Sequence, residues 1–123
     1  MTRLPRSPSL SYPRGDPSLR APMPTFHRVC LVSEVPEHLP RHVRVDGVGV
    51  LICRYEGGLF ALTELCPHKQ ESMRYGVVMD GKLICPSHTY GFDLSTGRCD
   101  KRRQAPAQTY PLEVRGEEVW VEV

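Results

Sequence analysis

The sequence predicts an all-β chain, a small antiparallel sandwich or partly open barrel, on three observations. From Thr25 onward apolar and polar residues alternate with a period near two. Short β-branched runs end on Gly- and Asp-containing turn signals spaced about 8–12 residues apart, as in sandwiches and barrels. The one helix candidate, Glu34 to Leu39, is at most a single turn.

The elements follow in order. Val43 and Val45, then Asp46-Gly47, then Val48, Val50 and Ile52 read as a hairpin with a primed turn, because Asp-Gly tolerates positive φ at both central positions. Leu59, Ala61 and Thr63 continue the sheet after Glu56-Gly57-Gly58. A second hairpin runs from Val77-Val78 through Asp80-Gly81 to Leu83-Ile84. A third closes the chain: Tyr110, Leu112 and Val114, a turn at Arg115-Gly116-Glu117, then Val119 to Val123. No internal repeat is visible.

A length of 123 residues allows one domain, and 16 Lys+Arg against 14 Asp+Glu leave a formal charge of only +2. That balance speaks against nucleic acid as a partner. Residues 1–24 contain six of the twelve prolines, four Ser, four Arg and only one acid, Asp16. Such a stretch cannot bury enough apolar surface to offset chain entropy, so it reads as a flexible tail preceding a domain over 25–123. No apolar run follows the arginines as in a secretory signal, and none approaches the roughly 18 residues of a membrane span. The expectation is a cytoplasmic protein without a membrane partner. Residues 25–123 carry 12 basic and 13 acidic side chains, so the net positive charge belongs to the tail.

Cys66-Pro67-His68 follows one strand and Cys85-Pro86-Ser87-His88 follows another, with 16 residues between His68 and Cys85. Thiolate and imidazole ligands two or three residues apart reach one metal centre only where the backbone bends back, and the prolines stiffen such bends. Two knuckles flanking a hairpin bring four ligands, Cys66, His68, Cys85 and His88, to one end of the sheet. Two Cys and two His suit either structural zinc or a binuclear iron–sulfur cluster. A zinc finger usually takes both Cys from one knuckle and both His from the other. Here each knuckle gives one of each, which fits a cluster with both Cys on one iron and both His on the other.

The C-P-H and C-P-S-H knuckles, followed by Gly91-Phe92-Asp93-Leu94-Ser95-Thr96-Gly97, resemble the Rieske family, specifically its small ferredoxins; the likeness runs from about Phe26 to Val123. The resemblance implies an antiparallel β-sandwich of Rieske iron–sulfur type with two cluster-binding loops at one end and a [2Fe–2S] cofactor. Two ferric ions, two sulfides and two thiolates sum to zero, so the oxidised centre is neutral. An all-thiolate centre starts at −2, which makes electron uptake harder. Histidine ligation accordingly raises the potential to roughly −150 to +300 mV, against about −400 mV for plant-type ferredoxins. High-potential members carry an extra Cys after each knuckle and hydroxyl donors near the cluster; the corresponding positions here are Glu71, Ser87, Tyr90 and Phe92. The resemblance thus implies the low end of the range. Family members also cover the cluster with a Gly-Pro loop, for which Ala105-Pro106-Ala107 is the candidate.

Cys30, Cys53 and Cys99 read as small buried hydrophobes, and His27, His38 and His42 as surface residues. Lys101-Arg102-Arg103 makes the segment 66–103 relatively basic, a patch that could steer an acidic partner. No nucleophile with a general base, acid pair or phosphate loop is visible. The expected function is one-electron transfer from a reductase to a terminal oxygenase or other redox enzyme. The alternative is the small subunit of an assimilatory NAD(P)H nitrite reductase, because Cys66-Pro67-His68-Lys69-Gln70 resembles the first knuckle of that branch; its partner would be the large subunit. A structural zinc module for protein binding is the alternative of another class.

Overall fold

The computed structural model describes residues 25–67, 70–86, 90–101 and 104–123. The predicted tail over 1–24, together with His68, His88, Arg102 and Arg103, lies outside the described residues. Ten strands form: β1 (Phe26–Leu31), β2 (Arg41–Val45), β3 (Val48–Tyr55), β4 (Gly58–Thr63), β5 (Val77–Met79), β6 (Lys82–Ile84), β7 (Gly91–Asp93), β8 (Thr109–Tyr110), β9 (Leu112–Arg115) and β10 (Glu118–Glu122). They make three antiparallel sheets, ordered β1-β10-β9, β2-β3-β4-β8 and β5-β6-β7. The all-β antiparallel expectation holds.

The turns explain the register. Asp46-Gly47, Glu56-Gly57 and Asp80-Gly81 all have positive φ at both residues, between 50° and 82°, as a type I′ hairpin turn requires. These turns match the right-handed twist of the strands they join, and each pairing closes directly on its two turn residues: Val45 faces Val48, Tyr55 faces Gly58 and Met79 faces Lys82.

The middle sheet is buried on both faces. In β3, Val50 and Ile52 enter one core with Cys30, Val35, Val43, Val45, Ala61, Val119 and Val121. The intervening Leu51 and Cys53 enter a second core with Leu62, Met73, Val78, Leu83, Phe92 and Leu94. Because strand side chains alternate in direction, the unbroken apolar run Val50–Cys53 serves both layers at once. Burial pushes the Cys53 thiol up to about 12 and also raises that of Cys30, so both stay protonated and pack as hydrophobes.

Three details differ from the sequence reading. The helical turn is a 3-10 turn over Val32–Glu34, ahead of the expected Glu34–Leu39; Arg54 donates to the carbonyls of Val32 and Val35 and so fixes the turn at this place. The run Tyr110 to Val114 is two strands in two sheets. Pro111 has no N–H to donate, so the chain changes partner there: Tyr110 pairs with Ala61 and Leu112 with Val121. Gly91–Asp93, read only as part of a motif, is a strand paired with β6.

That last strand leads into a turn held by one carboxylate. Asp93 Oδ1 accepts from the Ser95 hydroxyl at 2.7 Å, the Ser95 amide at 2.9 Å and the Thr96 amide at 3.0 Å. These bonds, the hydroxyl's first, hold the Asp93 carboxyl below the usual carboxylate range. A group whose pKa is depressed by folding contributes stability above its unfolded value, near 4, and loses it as pH falls through the folded value. Asp93→Ala is therefore expected to lower the melting temperature by a few degrees at pH 7. The gap to the parent narrows as pH falls below about 4; melting curves across that range check it.

Candidate metal centre

The β5-β6-β7 sheet is flanked by the two loops that carry the knuckles, one between β4 and β5 and one between β6 and β7. Each loop is closed by backbone bonds around its cysteine. In the first, the Cys66 amide donates to the Glu71 carbonyl at 2.7 Å and the Gln70 amide donates back to the Cys66 carbonyl at 2.6 Å. Gln70 adopts φ +59° to make this reversal, and Leu65 bridges to Ser72 across the loop base. In the second, the Cys85 amide donates to the Tyr90 carbonyl at 2.8 Å. These bonds bring the chain back on itself between Cys66 and Glu71 and between Cys85 and Tyr90.

The loops meet beside Gly76. A Cβ on that residue would lie 2.3 Å from the Ile84 carbonyl oxygen and 3.1 Å from that of Met73, so only glycine lets the exit of the first loop lie against the entry to the second. Cys66 and Cys85 form no disulfide, are exposed by 0% and 1%, and both belong to the core with Met73, Val78 and Leu83. Tyr90 and Cys99 pack against the same core, and Ala107 joins it, with its amide donating to the Gly97 carbonyl at 2.7 Å. Of the candidate covering segment Ala105-Pro106-Ala107, only Ala107 enters the core shared by the two cysteines; Ala105 and Pro106 are exposed. Phe92 is fully buried in that core and has no donor to offer.

Sequence reasoning missed the support beneath the first loop. Glu64 is two residues before Cys66. Its carboxylate accepts from the Ser72 hydroxyl at 2.7 Å and from His42 Nε2 at 3.0 Å. The Ser72 bond first, and then His42 against the opposing effect of burial, hold the Glu64 carboxyl below its ordinary range. An ionised carboxylate only accepts, so Nε2 of His42 carries the hydrogen. His42 is not the surface residue expected: its side chain is 18% exposed. Nothing local in the sequence distinguishes it from His27, which pairs with Asp46 at 3.5 Å, or from His38, whose ring lies 3.4 Å from the Val78 carbonyl.

Residues 25–111 match the family described as the Rieske [2Fe-2S] domain. The chain is similar to the biphenyl dioxygenase ferredoxin subunit of Pseudomonas sp. (strain KKS102), 31% identical over 100 residues that span 80% of this chain and 92% of the relative. Among solved structures it resembles the ferredoxin of carbazole 1,9a-dioxygenase from Nocardioides aromaticivorans IC177, with a TM-score of 0.73 and 28% identity over 79% of this chain and 96% of that one. It shares its fold with an NADH-dependent nitrite reductase small subunit from Mycobacterium tuberculosis, TM-score 0.75 and 21% identity over 83% and 97% of the two chains.

The residues present fit the [2Fe–2S] cofactor of that family. Two thiols that form no disulfide, buried in one core on two adjoining loops, suit two thiolate ligands of a single iron. Among the described residues, no cation or carboxylate is buried in the core they share. The matched length, the sheet order and this pair of thiol-bearing loops agree, and the chain belongs to the Rieske [2Fe–2S] domain family.

Proposed function

We propose that this chain is a one-electron carrier, a Rieske-type ferredoxin that passes electrons from a reductase to an oxygenase. The observation that carries the reading is the pair of Cys66 and Cys85 thiols buried in one core, on two loops that adjoin at Gly76. Cys66 and Cys85 would hold one iron, and His68 and His88 the other. When bound, the cluster supplies a reversible one-electron couple. The chain supplies a dry, apolar seat for the thiolates and two loops closed by their own backbone bonds. Rigid loops matter because less reorganisation accompanies a change of charge.

The folded segment over 25–123 is the electron-transfer domain in this reading, and 1–24 a tail. Among the described residues no helix is long and apolar enough to cross a membrane. Five cysteines with no disulfide among them suit a reducing compartment, and we place the protein in the cytoplasm. The absence of a hydroxyl donor at Phe92 and of a cysteine at Glu71 supports a potential toward the low end of the His-ligated range.

The test is electrochemistry on the purified full chain. The reading predicts a red-brown protein that takes up one electron per chain at a midpoint below about +100 mV and passes it to an oxygenase. A colourless zinc protein would overturn it. The fold shared with a nitrite reductase small subunit, together with Cys66-Pro67-His68-Lys69-Gln70, supports the second reading, as a subunit of such a reductase. Stable copurification with a sirohaem-containing large chain would decide for it.

A further inference from the structure

We propose that Glu64 is a positioning residue for the proposed cluster ligand Cys66, its carboxylate being the buttress that fixes the Cys66 loop against the β2–β3 hairpin. The inference rests on the reading of Cys66 as a ligand. Among the described residues between Glu64 and Met73 there is no strand, only an isolated bridge between Leu65 and Ser72. The bonds that close the loop around Cys66 are internal to it and do not fix where it sits on the rest of the protein.

Glu64 makes that connection from every side. Its amide donates to the Gly49 carbonyl at 3.1 Å, which ties the loop entry to β3. Its carbonyl accepts from the Met73 amide at 2.7 Å, which ties the entry to the exit. One carboxylate oxygen takes the hydroxyl of Ser72, on the returning limb, and the other takes His42, on β2 and opposite Leu51 in register. A single side chain thus joins both limbs of the loop to the hairpin, spanning 8 residues to one partner and 22 to the other.

The site is shaped for that carboxylate. A Cβ on Gly49 would lie 1.9 Å from Oε1, so the glycine leaves a notch in β3 that the oxygen occupies. The Glu64 and His42 side chains are 14% and 18% exposed, whereas each of the other five described ion pairs has both partners above 30%. Exposed pairs contribute little, but a carboxylate withdrawn from water stays only if its oxygens are bonded, and here both are. Glutamine at 64 has one acceptor oxygen, so an amide N–H₂ must face either Ser72 or His42, and the bond there survives only with the hydroxyl or the ring turned to accept. The charge that strengthens both limbs of the brace is lost with almost no change of shape.

The test is amide hydrogen exchange on the as-isolated full chain, parent against Glu64→Gln, Ser72→Ala and Gly49→Ala, with electron paramagnetic resonance of the reduced proteins. Hydrogen bonds to charged groups are strong enough that the amides of Cys66, Gln70 and Met73 should exchange about ten-fold faster or more in each variant. Those of Val119 and Val121, in the far core, should not change. The reduced spectrum should shift or broaden in all three, because the thiolate environment is less fixed. Loop amides at parental rates with superimposable spectra would overturn the proposal, even if a variant melts earlier; that result would mark Glu64 as merely stabilising. Three variants that reach the brace from different residues keep the test open should one fail to fold. A parent chain that binds no iron would defeat the cluster reading instead, and loop exchange would still decide whether Glu64 braces the loop.

Discussion

A full chain carrying Cys85→Ser is expected to purify with less than about a tenth of the parent's iron and without its visible colour, because site and ligand bonds are lost together. Serine nearly preserves the volume, so the cost is chemical. A hydroxyl does not ionise at neutral pH as a thiol at a metal site does, and iron–sulfur centres are held by thiolates. Cys85 is 1% exposed, so a serine there also leaves a buried hydroxyl in an apolar core, at about 1–3 kcal/mol if it finds no partner. Cys66→Ser should behave alike, since Cys66 is equally buried in the same core. The control is Cys99→Ser. Cys99 is half-buried, and its sulfur accepts from the Lys101 amide at 3.4 Å, so the variant should keep its full iron. Iron and sulfide analysis of the three proteins checks the set; parental iron in Cys85→Ser would remove Cys85 from the ligands.

Gly76→Ala should be a severely damaging single-methyl change where the two loops adjoin. The added Cβ would meet the Ile84 carbonyl oxygen at 2.3 Å, and both neighbours named there are backbone, which cannot rotate away as a side chain can. The loop exit must lift off β6, and Ile84 immediately precedes Cys85. Overpacking of this kind costs about 3 kcal/mol. In a domain of this size that is on the order of 15 °C in melting temperature. Gly47→Ala isolates the other contribution: its φ is +80° with nothing within 4 Å, so only backbone strain of about 1–2 kcal/mol applies. The two melting temperatures should therefore separate, and only Gly76→Ala should also lose iron. Equal shifts with iron retained would mean the loops do not depend on that contact.

What the sequence made legible was local. Asp-Gly and Glu-Gly pairs announce their turns because few other residues take positive φ twice running, and the three hairpins they join lie where expected. The knuckles were legible because Cys, Pro and His in a fixed spacing are rare by chance. The pairings that build the layers were not legible. β1 meets β10 across nearly the whole chain, with a bulge between Arg28 and Cys30, and no residue in either strand names the other. The run Val50–Cys53 shows that a strand is buried but not that it feeds two cores. Glu64, His42 and Gly49 are ordinary residues in sequence, and their brace exists only after β2, β3 and the loop have come together.

The central claim is that two sulfur and two nitrogen ligands, from Cys66, Cys85, His68 and His88, hold one binuclear cluster. Pulsed electron paramagnetic resonance on the reduced full chain, read for nitrogen hyperfine couplings, tests it most directly. The account predicts couplings from two histidine nitrogens, disturbed by substitution at either His68 or His88 and untouched by His27→Gln. A reduced cluster with no nitrogen coupling, or a colourless chain holding zinc in place of iron, would contradict it.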